Sequence, residues 1–155
     1  MNIGMIIYSQ TGHTLSVAEK LKEELTARGH TVNMEQITIS GEASPGKKNF
    51  EFTTEPSPDP YEAVIFGSPV QAFSLSVVME EYLKQLSSLE GKKAAFLITK
   101  HLPFYWTGAN RALGQMKSIC AGMGAEVLGS GVAIWSGSRR ERTTKSCVEE
   151  LSRLF

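Results

Sequence analysis

Between an apolar run ending at Tyr8 and an amphipathic stretch entered at Val17 lies Ser9-Gln10-Thr11-Gly12-His13-Thr14, three hydroxyl side chains around a glycine. A helix starting here exposes backbone N–H groups without intrahelical acceptors and the positive end of its dipole, and both attract an anion. One hydroxyl suffices to cap a helix. Three around a glycine, in the first strand-to-helix turn, predict a phosphate site. The turn holds no Lys or Arg, whereas a triphosphate loop normally supplies a lysine, so a monophosphate is the better fit.

Two further segments carry residues suited to an aromatic ligand. Gly67-Ser68-Pro69-Val70-Gln71-Ala72-Phe73-Ser74 follows the third apolar run. Its small residues permit close backbone approach, and Phe73 either offers a ring to the ligand or, with Val70, anchors the loop to the core. Thr99-Lys100-His101-Leu102-Pro103-Phe104-Tyr105-Trp106-Thr107-Gly108 holds three consecutive aromatics. At least one of these must be covered by core, partner or ligand. Tyr105 or Trp106 is the stacking candidate, and Thr99 and Lys100 are placed to reach a polar ring edge.

Continuous apolar runs at Ile3 to Tyr8, Ala63 to Phe66, Ala94 to Ile98 and Val127 to Ile134, with an alternating edge run at Thr31 to Ile37, predict five strands. Apolar residues at three- and four-residue steps predict four helices between and after them: Val17 to Leu25, Val78 to Leu86, Ala109 to Met123, and Val148 to Phe155. Gly29, Gly91 and Gly124 fall where helices should stop. Ser40 to Pro60, broken by prolines and glycines, reads mainly as a long connection, with a short strand allowed at Phe50 to Phe52. Alternating strands and helices imply a right-handed, doubly wound α/β domain over residues 1–155, with ligands at the carboxyl ends of the strands.

The turn resembles the signature loop of the flavodoxin family, Ser-x-Thr-Gly-x-Thr followed by Ala and an aliphatic residue. Ser9, Thr11, Gly12, Thr14, Ala18 and Leu21 fill those places, and element number and length resemble the short-chain members throughout. The resemblance implies a three-layer sandwich around a five-stranded parallel sheet of order 2-1-3-4-5, and FMN as cofactor. It implies that Ser9, Thr11, Gly12 and Thr14 contact the phosphate, with Gln10 and His13 lending backbone N–H groups. By position, Ser68, Pro69, Val70, Gln71, Ala72 and Phe73, and then Thr99, Lys100, Tyr105, Trp106 and Gly108, flank the isoalloxazine ring.

Sixteen basic and sixteen acidic residues balance, so no overall field draws in nucleic acid or an anionic membrane surface. Carrier flavodoxins are strongly acidic, and Gln71-Ala72 stands where they often place a glycine whose peptide flips on reduction. The expectation is therefore FMN-dependent electron transfer among redox protein partners at a less negative potential. Its rivals are an NAD(P)H-dependent reductase of quinones or similar acceptors, and a flavin-free binding module. Gly41 to Lys48 comes close to a P-loop but has Lys48 where a hydroxyl must meet magnesium. A response-regulator reading fails because Ser9 and Ser68 stand where acidic metal ligands belong. His13, His30 and His101 lack metal spacing, Gly129-Ser130-Gly131 reads as a bulge or close packing, and Arg139, Arg140 and Arg142 open the last helix. No secretory signal is recognised at the N-terminus, so a cytoplasmic monomer or weak dimer with two packing cysteines is expected.

Overall fold

The computed structural model describes residues 1–44, 47–101 and 108–155. Its elements are β1 (Asn2–Ile7), α1 (His13–Ala27), β2 (Thr31–Gln36), β3 (Thr38–Ser44), β4 (Lys47–Thr54), β5 (Ala63–Gln71), β6 (Ser74–Leu75), α2 (Val77–Lys84), β7 (Lys93–Lys100), α3 (Ala109–Gly122), β8 (Glu126–Ile134) and α4 (Arg139–Ser152).

Five of the strands form one parallel sheet of order β2-β1-β5-β7-β8. The central strands β1, β5 and β7 bury side chains on both faces, which is why they read as unbroken apolar runs, whereas the edge strand β2 alternates. Ile3, Met5 and Ile7 of β1 pack with Val17, Leu21 and Leu25 of α1 and Leu151 of α4. Ile6 and Tyr8 face the other way, into a core with Met79 and Tyr82 of α2 and Met116 of α3. The expected order is thus found, with the short β6 added antiparallel to the end of β5.

The segment expected to be mainly a connection is an antiparallel hairpin of β3 and β4. A parallel crossover normally runs through a helix; from β2 to β5 it runs through this hairpin. Its apolar face is supplied by period-two alternation: Ile39 pairs with Phe52 in register, and Phe50 and Phe52 meet edge to face at 5.5 Å. Phe52 in turn meets Tyr82 at 6.5 Å, and the Tyr82 hydroxyl donates to the Pro56 carbonyl. Pro56, Pro58 and Pro60 lie beyond the end of β4, while Gly41 sits inside β3 opposite Phe50. Gly41, at φ 94°, leaves room for the Asn49 carbonyl, which a Cβ would approach to 2.3 Å.

Gly29 and Gly124 end α1 and α3 as expected, each at positive φ, with His30 N–H bonded to Leu25 O and Ala125 N–H to Cys120 O. Gly91 lies in the turn before β7 and not at the end of α2. In β8 the pairing register shifts opposite Ala94 and Ala95, and Gly131 leaves space for Cys147 Sγ, 2.7 Å from where a Cβ would stand. The glycine pair therefore marks both a bulge and a close approach. Cys120 and Cys147 are buried and free, and burial pushes both thiols up to about 12. Among the described residues, no helix is long and apolar enough to cross a membrane.

Candidate functional site

The carboxyl ends of β1, β5 and β7 meet the start of α1 around a cavity of 280 Å³ lined by Gln10, Thr11, His13, Pro69, Val70, Thr99, Lys100 and His101. Three loops distant in sequence converge there because parallel strands all present their C-terminal ends to one edge.

Gly12 enters α1 at φ 88°, a left-handed conformation that suits glycine. Ser9 Oγ accepts from the N–H groups of Gly12 at 3.1 Å and Leu15 at 3.3 Å, which folds the turn back on itself. Among the described residues, the N–H groups of Thr11, His13 and Thr14 have no acceptor. Thr11 is exposed at the mouth. Thr14 is buried, and its hydroxyl meets that of Thr99 at 2.7 Å. The Thr14–Thr99 pair ties the helix start to β7, so the Thr99 hydroxyl is turned to Thr14 and not to a ring edge.

Ser68 is also fully buried. Its hydroxyl bonds to Ser76 at 2.7 Å, and Ser76 caps α2 by accepting from Met79 N–H. The side chain expected to flank a ring thus holds the start of a helix, leaving only the backbone of Ser68 to approach a ligand. Beyond Pro69, Ala72 and Phe73 form a two-residue turn with φ 46° and 60°. Residues other than Gly, Asn and Asp are uncommon there, and each costs on the order of 1 kcal/mol. Gln115 holds the turn in place: its Oε1 accepts from Leu75 N–H and the Ser74 hydroxyl, both at 2.9 Å. Gly108 does the same by packing its Cα side against the Phe73 backbone. The turn carries the Phe73 ring outward, 54% exposed, so of the two roles open to Phe73 the core anchor is excluded. Val70, half-buried, packs on the α2 and α3 side instead.

Gln71 Nε2 donates to Gln10 Oε1 at 2.5 Å and bridges the first and second loops, while Gln71 Oε1 is buried and has no partner among the described residues. Lys100 lines the cavity at 5% exposure, and burial lowers its pKa. Tyr105 and Trp106 lie outside the described residues.

Three residues not named as site candidates also converge here. Trp135, just past β8, stacks on His13 with centroids 4.5 Å apart and planes at 18°. The Arg140 guanidinium lies 4.1 Å over the Trp135 ring, and His101 joins the cavity wall. An aromatic at the C-terminal end of the last sheet strand was the available signal for Trp135; nothing in the spacing marks its partner. Among the described residues, no group of His, Cys, Asp and Glu is arranged to hold a metal ion.

No curated protein matches this chain. Among solved structures it is similar to oxidised flavodoxin 1 from Bacillus cereus, at 17% identity and a TM-score of 0.70 over 99% of this chain and 96% of that one. It is similar to two-electron reduced Megasphaera elsdenii flavodoxin at 17% identity and a TM-score of 0.69, covering 97% and 98% of the two chains. A flavoprotein from Lactobacillus acidophilus in complex with FMN aligns at 14% identity and a TM-score of 0.66, covering 94% and 97%. At these identities the likeness is one of fold. The model of the flavodoxin domain matches residues 5–103, which span the first turn and the second loop, and the chain belongs to the flavodoxin domain family.

Proposed function

We propose that the protein binds FMN at the carboxyl edge of its sheet and uses it to transfer electrons between redox protein partners. The observation that carries this reading is the set of unpartnered amides of Thr11, His13 and Thr14 at the mouth of a cavity walled by the ends of β1, β5 and β7.

The residues present fit the group. The turn amides suit a phosphate monoester, and among the described residues no carboxylate lines the cavity to repel it. The orphaned Gln71 Oε1 is a buried acceptor that lacks only a donor, as a ring N–H would be. A cavity of 280 Å³ lies near the lower end of the roughly 300–1,000 Å³ typical of small-ligand sites, which leaves part of the ring at the surface. In this reading Ser9, Gln10, Thr11, Gly12, His13 and Thr14 hold the phosphate. Pro69, Val70, Gln71, Ala72 and Phe73 flank the ring on one side, with Thr99, Lys100 and Gly108 on the other.

Bound flavin supplies one- and two-electron chemistry; the protein positions it and sets its electrostatic surroundings. Phe73 stands at the rim, where a partner's redox centre would have to come close. Thr14 and Thr99 keep the floor rigid, and Lys100 places a basic group in the wall. The two buried free thiols suit a reducing, cytoplasmic setting.

The absorption spectrum of the purified protein and quenching of added FMN fluorescence test the cofactor; a colourless protein that quenches nothing is a flavin-free module. A second reading, an NAD(P)H-dependent reductase, draws on Arg139, Arg140 and Arg142 in the exposed first turn of α4, which suit a nucleotide phosphate. FMN-dependent NADPH oxidation with a quinone acceptor would support that reading over the carrier.

A further inference from the structure

The first turn itself carries no Lys or Arg, yet the folded chain brings basic groups to it from two other places, α4 and the end of β7. His13 opens α1 with its ring stacked on Trp135, and Arg140 of α4 lies over the same indole. Lys100 and His101, at the end of β7, line the cavity together with His13. We propose that His13 is a proton-linked element of the phosphate site, taking up a proton when a phosphate dianion binds, so that the preference for FMN over riboflavin grows as the pH falls towards slightly acidic values. This rests on the FMN reading above and assigns the turn a recognition mode of its own.

In the free protein the imidazolium form of His13 is disfavoured. Burial and the positive charges of Arg140 and His101 hold its pKa below the ordinary histidine value. Among the described residues lining the cavity with it, none is an acid. The first turn of α1 contains no acid. Lys100 and His101 approach from β7, Arg140 approaches from α4 with Arg139 and Arg142 on the same exposed turn, and Glu141 lines the groove between α1 and α4 instead. Tyr8, at the end of β1, has its phenol pushed up by burial and stays neutral. The charges of Arg140 and His101 oppose protonation of His13 until an anion sits beside it. A dianion reverses the sign of the local field, raises the imidazole pKa, and by linkage is itself bound more tightly wherever the proton is available.

Riboflavin has the same ring and no phosphate, which isolates the effect. Flavin fluorescence titrations from about pH 8.5 to about pH 6.5 keep most of a phosphate with second pKa near 6 in its dianionic form. Because His13 in the free protein titrates below the ordinary histidine value, a rise of about one unit on binding corresponds to a gain of roughly threefold, and at most about fivefold, in the FMN-to-riboflavin affinity ratio by about pH 6.5. His13→Asn should flatten the ratio. His30→Asn, whose ring lies against the N-terminal amine, should leave it unchanged. Imidazole resonances of the unmodified protein, followed against pH with and without FMN, give an independent readout in which the His13 midpoint moves up on binding. A pH-independent ratio, a slope that survives His13→Asn, or a His13 midpoint unmoved by FMN overturns the inference while leaving the cofactor assignment standing. If neither flavin binds at any pH, the cofactor assignment fails and this inference fails with it.

Discussion

Replacing Gly108 by alanine tests how the site's second loop is held. Gly108 has φ 115°, and a Cβ there would stand 2.6 Å from both Cα and the carbonyl carbon of Phe73 and 2.8 Å from a Val70 methyl. Two costs add. Left-handed backbone costs an L-residue about 1–2 kcal/mol, and overpacking against backbone that cannot rotate away costs about 1–3 kcal/mol more. Gly29 separates the two, because it also has positive φ, at 94°, but a Cβ there meets nothing within 4 Å. Gly29→Ala should therefore lose only about 1–2 kcal/mol, and Gly108→Ala about 2–5 kcal/mol. At about 2–4 °C per kcal/mol for a domain of this length, the melting temperatures should fall by roughly 2–8 °C and 4–20 °C. Urea unfolding with a common slope gives the free energies. The Ala72–Phe73 turn must also shift, so Gly108→Ala should weaken FMN and riboflavin equally, since the change lies at the ring and not at the phosphate. Equal stability losses for the two variants, or unchanged flavin affinity in Gly108→Ala, would refute the claim that close packing under Phe73 sets the loop.

Three other perturbations probe the parts that support the site. Gly4→Ala would put a Cβ 2.1 Å from the Tyr61 ring, and should cost about 1–3 kcal/mol by urea unfolding as the ring swings away from Glu35. Thr14→Val or Thr99→Val alone leaves one buried hydroxyl of a 2.7 Å pair unsatisfied, at about 1–3 kcal/mol, whereas the double variant should recover part of that loss in a double-mutant cycle. Burial and the Glu35 hydrogen bond push the Tyr61 phenol from 10.0 to about 12. The folded state then keeps a proton that the unfolded chain gives up, so stability should decline as the pH rises from 10.0 to about 12. Denaturation midpoints across that range should fall less steeply in Tyr61→Phe.

The β3–β4 hairpin shows where a local reading fails. Phe50 and Phe52 were visible as alternating apolar residues, but two short alternations separated by proline and glycine do not declare their partner. Pairing Ile39 with Phe52 becomes favourable only once Tyr82 and the rest of the core offer the apolar face something to cover. The buried hydroxyls show a related limit. Thr14, Ser68 and Thr99 look alike as polar residues near loops, and whether each faces a ligand or another hydroxyl depends on packing across the sheet.

What the linear order of residues specified was everything governed by short range: the apolar runs that had to be doubly covered strands, the stripes that had to be helices, and a contiguous turn whose amides suit an anion. That turn could be read directly because all of its parts lie within six consecutive residues, Ser9 to Thr14. The sandwich of His13, Trp135 and Arg140, the Gln10–Gln71 bridge and the outward Phe73 turn clamped by Gln115 and Gly108 arise from segments far apart in the chain. No spacing rule links such segments. They meet because a parallel sheet gathers the carboxyl ends of its strands at one edge, and the charge and shape of the site exist only after that gathering.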